Sequence, residues 1–380
     1  FDKYLAELKI IQSSQGRNIQ SGKLNLYSLF LVKSLDLVKS DGLVGLIIPN
    51  NILRTTTFDI VRKFILDHTV IEQITDLGDS VFAHVTASSV ILILNKNTSP
   101  NGDNSVEVIS EVADLQGNNF KKHLVKQKSF YQNESFAFNI LSDTASSALS
   151  RKLEENSIKL GEFTKYIIEG IVGSLDRDVA KEKIDDSYKP FLLGKDIGRY
   201  KIKYRGRWIC YNRNKLHRAR PEEVFISDKI LLQRISGGDR PLVATLDKKH
   251  YYTFASLNNI LLKENSGFNI LYVLGLINSR LINWYYSINF SNKSKLTVNV
   301  SKTFLSQIPI KNIKLGDQKD IASNVILVLS LNETLSKFEE NSEKWKSIKS
   351  EIEKTDKKID EEVYKLYRLT SEEIEIVEKG

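Results

Sequence analysis

The sequence predicts a mixed α/β chain built in two parts, with a helical end. Three observations carry this. A six-residue apolar run, 43–48, sits between two helical patterns, as a buried strand of an α/β layer does. From 160 to 310 the texture changes to short apolar stretches separated by frequent glycine turns, the pattern of a β-rich domain. From about 316 onward the chain is highly charged, with apolar residues at helical spacing.

Each element follows from local pattern. Over 24–40, Leu26, Leu29, Phe30, Val32 and Leu37 recur at helical spacing, and Asp41-Gly42 ends the helix. The strand 43–48 stops at Pro49-Asn50-Asn51. A helix is predicted around 58–66, then strands over 70–76 and 85–94. Asn101-Gly102 centres a turn, and the strand 106–110 is expected to pair back across it. The helical stretch around 145–157 marks a boundary, giving segments 1–150, 151–315 and 316–380. Within the β-rich part, 270–286 reads as one helix. In the tail, Ile359, Val363, Leu366 and Leu369 share a face, and Thr370 to Glu373 forms a capping box that opens a last short helix. No internal repeat is present.

Bulk composition narrows the function. The 380 residues carry 55 Lys and Arg against 47 Asp and Glu, a net charge of +8, which favours a polyanionic partner. A single cysteine rules out an internal disulfide framework and fits a cytoplasmic setting. No apolar run approaches the roughly 18 residues of a membrane helix, so no membrane partner is expected. The chain begins at Phe1 and contains no methionine, which reads as a portion of a longer protein.

The strongest electrostatic signal is 195–220. Lys195, Arg199, Lys201, Lys203, Arg205, Arg207, Arg213, Lys215, Arg218 and Arg220 stand there against one acid, Asp196, with Tyr200, Tyr204, Trp208 and Tyr211 interleaved. The cations at 201, 203, 205 and 207 alternate with period two and are expected on one strand face. Such a face repels itself unless an anion lies opposite, and phosphates would supply it; a solvated edge strand protected by charge is the alternative. A second basic cluster runs from Arg234 to Arg240. The histidines show no ligand spacing, so no metal is expected. No nucleophile triad or phosphate loop is present, and Gly170 and Gly173 read as a turn. Phe82, in a loop between two strands, is open to two readings, core or stacking platform, with core the commoner outcome. Asn50 or Asn51 is a candidate helix N-cap.

Taken in order, these pieces resemble the γ-type adenine-specific DNA methyltransferases that carry their own target-recognition domain, as in type IIG and type I-like restriction–modification enzymes. The resemblance rests on NLYSLFLVKSLDLVKSDG, LIIPNNIL, FDIVRKFIL, VIEQITDLG and DSVFAHVTASSVILIL in the first part. In the second it rests on KPFLLGKDIGRYKIKYRGRWICY, DKILLQRISGGDRPLVATLD, YVLGLINSRLINWYY and SQIPI, with IDEEVYKLYRLTSEEIEIVE as the tail. It implies the C-terminal part of a Rossmann-like methyltransferase fold, then a mixed α+β recognition domain and a charged helical tail packing on it. The family's Asn-Pro-Pro-Tyr motif and glycine-rich cofactor loop are absent from these residues.

The resemblance also implies site roles. S-adenosyl-L-methionine is the cofactor, with Phe30 near its adenine and Tyr27 and Asn25 as further contacts. Pro49 and Asn50 stand at the rim of the cleft, where ligands of α/β sheets bind. Phe82 stacks on an adenine flipped out of double-stranded DNA. Lys195, Arg199, Lys201, Lys203, Arg205, Arg207, Arg234 and Arg240 clamp phosphates, some reading guanine edges. Restriction or specificity subunits are further candidate partners. The rival expectations are a non-catalytic DNA-specificity module, or fragment of a restriction enzyme, and a methyltransferase of structured RNA.

Overall fold

The computed structural model describes residues 26–78, 81, 88–97, 103–114, 119–140, 144–213, 216, 218–290 and 298–379. The chain divides into two units, 1–147 with 288–294, and 148–287 with 295–380.

The first unit is a mixed α/β layer. Helix α1 (Leu26–Leu37) buries Leu29, Leu31, Val32 and Leu35 and leads into strand β1 (Leu43–Pro49). Two 3-10 turns follow, Asn50–Leu53 and Thr56–Phe58. Helix α2 (Asp59–His68) then turns Val61, Phe64 and Ile65 inward. Strands β2 (Thr69–Gly78), β3 (Ser89–Lys96), β4 (Ser105–Asp114) and β5 (Asn119–Lys126) complete a five-stranded sheet of order β1-β3-β2-β4-β5. Strands β1 and β2 are each antiparallel to β3, so they run parallel to one another. They form a β-α-β crossover through α2 that leaves one place open, and β3 fills it.

The expected hairpin across Asn101-Gly102 is not made. Both edges of β3 are taken by β1 and β2, so β4 pairs in parallel with β2 instead, Gln73 opposite Glu107. Its other edge takes β5, antiparallel. Strand β5 was not legible in advance: it is the sheet's outer edge, and Lys121, Lys122 and Lys126 replace the apolar alternation that marks a half-buried strand.

The second unit holds a four-stranded antiparallel sheet. Its strands are β6 (Thr164–Glu169), β7 (Lys229–Gln233), β8 (Ala244–Asp247) and β9 (Leu257–Leu262), in the order β8-β7-β9-β6. A second small sheet sets Tyr188–Leu192 between Trp208–Cys210 and Tyr252–Thr253. The two polar residues inside β9 are satisfied. Asn258 Nδ2 donates to Val300 O at 3.0 Å, and Asn259 Oδ1 accepts from the Thr253 hydroxyl at 3.0 Å. At the far end of β7, Lys229 Nζ meets Asp247 Oδ2 at 2.7 Å with both side chains fully buried.

The single helix expected over 270–286 is two, α3 (Ile270–Asn278) and α4 (Arg280–Phe290). Ser279 leaves helical geometry with ψ 154°. Its hydroxyl donates to Leu276 O at 2.7 Å and accepts from Ile282 N at 3.3 Å, so it closes one helix and caps the next. Two buried asparagines hold the break. Asn278 exchanges hydrogen bonds with the Ala244 backbone, both at 3.0 Å, and Asn283 accepts from Leu242 N at 2.7 Å.

The tail is helical: α5 (Lys319–Leu335), α6 (Glu343–Leu366) and α7 (Ser371–Lys379). Helices α3 and α5 approach closely at Gly275, where a Cβ would stand 2.7 Å from Ile321 Cγ2 and 3.0 Å from Val325 Cγ2. Tyr367, fully buried, donates its hydroxyl to Pro309 O at 2.9 Å and accepts from Lys311 N at 3.0 Å. The capping box forms, with Thr370 N donating to Glu373 Oε2 at 2.8 Å and Glu373 N to Thr370 Oγ1 at 3.3 Å. No described helix is long and apolar enough to cross a membrane.

Candidate functional site

In the first unit the rim of interest is the carboxyl end of β1. Pro49 makes the last rung against Ser89, where a residue without an N–H terminates a strand readily. Asn50 N then donates to Ser88 O at 2.9 Å, and Asn50 itself is buried. Pro49, not an asparagine, is the N-cap of the 3-10 turn, and no side-chain cap bond forms, so the N-cap expected of Asn50 or Asn51 is not made. Instead Asn51 Oδ1 accepts from the Tyr27 hydroxyl at 2.8 Å. The Tyr27 ring lies 5.3 Å from that of Phe58. Phe30 follows Tyr27 by three residues on α1, hence on the same side of the helix, and is 65% exposed. Tyr27 and Asn51 thus form an aromatic and amide edge at the end of β1, with the exposed Phe30 ring one helical turn further along α1. Phe82 and Asn25 lie outside the described residues.

Two buried arginines stand at the turn after Asn51, and Arg62 ties it down. Arg62 Nη1 donates to Ile52 O at 2.7 Å and Thr55 O at 3.0 Å, Nη2 to Ser135 O at 2.7 Å, and Nε to Phe136 O at 3.1 Å. Burial pushes its guanidinium down to about 9, still charged at neutral pH. Burial pushes the Arg54 guanidinium down to about 10, with the charge of Asp76 opposing that shift. An arginine on the apolar face of a helical pattern, as Arg62 is between Val61 and Ile65, is the signal that points to such a role.

In the second unit the cations separate into two kinds. The expected strand face over 201–207 does not exist: only Lys201–Ile202 is strand, and the next strand begins at Trp208. Gly206 at φ +71° turns the chain between them, and Asp196 draws in the arginines. Its carboxylate is fully buried, accepts Leu193 N at 2.7 Å, and pairs with Arg207 and, at 3.2 Å, with Arg205. Arg199 grips Asp356 with two bonds of 2.6 and 3.0 Å and donates to Asn278 O at 3.0 Å. Arg240 reaches Asp360 at 2.6 Å and Asp356 at 3.4 Å. Arg234 pairs with Glu169. Five of the expected phosphate clamps (Arg199, Arg205, Arg207, Arg234 and Arg240) are therefore already paired with the protein's own carboxylates. Lys195, Lys201 and Lys203 are exposed and make no ion pair among the described residues. The interleaved aromatics pack inward: Tyr200 is buried, Tyr204 lies 5.1 Å from Tyr251, and Tyr211 lies 4.9 Å from Tyr252.

One cluster escaped the sequence reading. Glu169, at the end of β6, gathers Arg220 at 2.6 Å, Arg234, and Arg218 at 3.8 Å. Nothing local announces it, because the arginines come from segments far along the chain. Among the described residues no group of three or more His, Cys, Asp or Glu is placed to hold a metal ion.

Comparison with known proteins fits these two units. Residues 3–82 match the Eco57I restriction-modification methylase family, and residues 189–310 match the TaqI-like C-terminal specificity domain. A Methanocaldococcus jannaschii protein whose name describes a type II restriction enzyme and methyltransferase is 22% identical over 278 residues, covering 70% of this chain and 23% of its own length. The type IIL restriction-modification enzyme MmeI, solved with DNA, superposes with a TM-score of 0.59 at 10% identity, covering 96% of this chain and 52% of that one. The type ISP enzyme LlaBIII, solved bound to DNA, gives 0.53 at 12% identity, with 87% and 28% covered. At such identities the likeness to the solved structures is one of fold. The chain spans about a quarter of that curated relative and about half of MmeI.

Proposed function

We propose, for a chain that joins part of an Eco57I-type restriction-modification methylase domain to a TaqI-like C-terminal specificity domain, that it methylates adenine N6 in double-stranded DNA at sites chosen by the second unit. The observation that supports this best is that the two family matches fall on two separately packed units: one has an open aromatic edge at a strand's carboxyl end, the other exposed lysines.

The target adenine has to leave the stack before its amino group can be reached. By the resemblance, Phe82 stacks on the extruded base. Arg62 and the Tyr27–Asn51 hydrogen bond hold the turn after β1 in one conformation, which keeps the rim preorganised where two reactants must meet in line. Phe30 fits the cofactor: an exposed ring beside that rim offers a face on which the adenine of S-adenosyl-L-methionine can stack. When bound, S-adenosyl-L-methionine supplies an electrophilic methyl group. In the second unit, Lys195, Lys201 and Lys203 supply the mobile cations that displace counterions from phosphates.

The test is nucleoside mass spectrometry on duplex DNA treated with the full-length enzyme and the methyl donor. The expected product is N6-methyladenine; methylcytosine, or methylation of RNA in preference to duplex DNA, would reject the proposal. In the same assay Phe82→Ala should slow methylation more than it weakens DNA binding, and an unchanged rate would remove the stacking role.

A further inference from the structure

We propose that Arg218 reads a guanine edge in duplex DNA and that Glu169 is the residue that positions it. The inference rests on the DNA reading above and assigns base contact where that reading had only charge.

Three guanidiniums share the Glu169 carboxylate, and they differ in freedom. Arg220 is nearly buried: Nη2 binds Oε1, and Nε donates to the carbonyls of Glu169 at 3.0 Å and Gly170 at 3.2 Å. Arg234 binds Oε2 and leans on Ala255 O at 3.4 Å. Arg218 is tethered by its backbone, N to Val172 O at 3.4 Å, while its side chain is 60% exposed with one long contact to Glu169. One carboxylate cannot balance three cations, so the cluster favours an external acceptor, and Arg218 is the member free to meet it.

The surroundings decide between a phosphate and a base. Beside the cluster lies a groove of about 520 Å³ whose walls include Leu175, Lys195, Ile235, Phe254 and Ser256. The cluster adjoins this groove through its backbone: Arg234 N donates to Ser256 O at 2.9 Å, and the Arg234 guanidinium leans on Ala255 O, next to the lining residues Phe254 and Ser256. Ile235 is 60% exposed. A phosphate asks for charge and gains nothing from isoleucine and leucine. Base edges in the major groove ask for both kinds of group: guanine O6 and N7 accept a bidentate arginine, and a thymine methyl takes apolar contact. The Glu169 carboxylate draws the Arg218 guanidinium to this side of the cluster, and its planar fork matches the paired O6 and N7 acceptors.

The experiment measures binding of the full-length enzyme to its own methylation site, with 7-deazaguanine placed at each guanine in turn. At one position the substitution should weaken the unmodified enzyme by about 5- to 150-fold and leave Arg218→Ala indifferent. Arg218→Lys keeps the charge and loses the planar fork; it should depend less on that guanine than the unmodified enzyme does, with an unaltered salt slope. Glu169→Gln should lose part of the discrimination at that same position. The proposal is overturned if Arg218→Ala weakens all duplexes alike and lowers the salt slope by about one, the mark of a phosphate contact, or if it changes nothing. If the unmodified enzyme fails to prefer any duplex over random sequence, the DNA reading itself falls, which the mutants are not needed to reveal.

Discussion

Asp247 and Glu169, both in the second unit, meet cations in opposite ways. Asp247 has one partner, Lys229, and the pair is closed: Asp247 also accepts Lys249 N at 2.9 Å and Tyr251 N at 2.9 Å, while Lys229 donates to Phe225 O at 2.6 Å. Glu169 has three partners and stands partly open. The first arrangement is saturated and holds the sheet together. The second is unbalanced and faces outward, which is what a binding surface requires. Basic residues that look equivalent in a sequence therefore divide by the stoichiometry of their counter-charges.

Breaking the closed pair should have the largest effect. Asp247→Asn leaves the Lys229 ammonium buried without its counter-charge and is expected to cost about 3–5 kcal/mol in urea unfolding. Glu169→Gln, tested alongside, should cost about 1 kcal/mol or less, because Arg218 and Arg234 can turn to solvent and Arg220 keeps the carbonyls of Glu169 and Gly170 as acceptors. Equal losses would erase the distinction. Asp356→Asn is intermediate: Arg199 and Arg240 both lose an acceptor while half buried, for about 1–3 kcal/mol by the same measurement. Replacing Lys195, Lys201 and Lys203 together by glutamine should leave stability within about 0.5 kcal/mol, while the dependence of DNA affinity on salt falls by about 0.9 per lost phosphate contact. An unaltered slope would show that these lysines do not face phosphates.

Asp360 sharpens the comparison through pH. Burial holds its carboxyl above the ordinary 3.8, although Arg240 and the Arg280 backbone N–H pull the other way. Just above 3.8 the folded chain then keeps a proton that the unfolded chain has released. Its contribution is fully present below 3.8 and is lost as pH rises through the raised value. Asp360→Asn should flatten that part of the stability profile, the smallest effect of the series, and an unchanged profile would mean that other groups set it.

Much of the first unit was legible. The run from Leu43 to Ile48, ending at Pro49, is a strand as its pattern suggested, because such patterns are local; it is not buried as expected, since β1 ends the sheet order and leaves Leu43 and Ile47 exposed. What pairs with what was not: β4 went to β2 because β3 had no free edge, a fact of the whole sheet. The break at Ser279 had a signal, an Asn-Ser step able to cap, but a continuous apolar pattern hid it. The cationic run misled for a related reason. Alternation over 201–207 looks like a strand face, yet Gly206 and the buried Asp196 break it, and Arg199 finds Asp356 at a separation of 157 residues. Charge partners at that distance leave no trace in a local pattern.

The Arg199–Asp356–Arg240–Asp360 chain of contacts has a practical bearing on building hybrid enzymes. It stitches the turn at Arg199 and the loop that leads into β8 to α6, so 316–380 is not a detachable appendage. A chimera that swaps the sheets alone and keeps a foreign tail would strand acids and arginines from different parents against each other. A unit built this way should be transplanted with its last helices attached, and the seam belongs upstream, near residue 148.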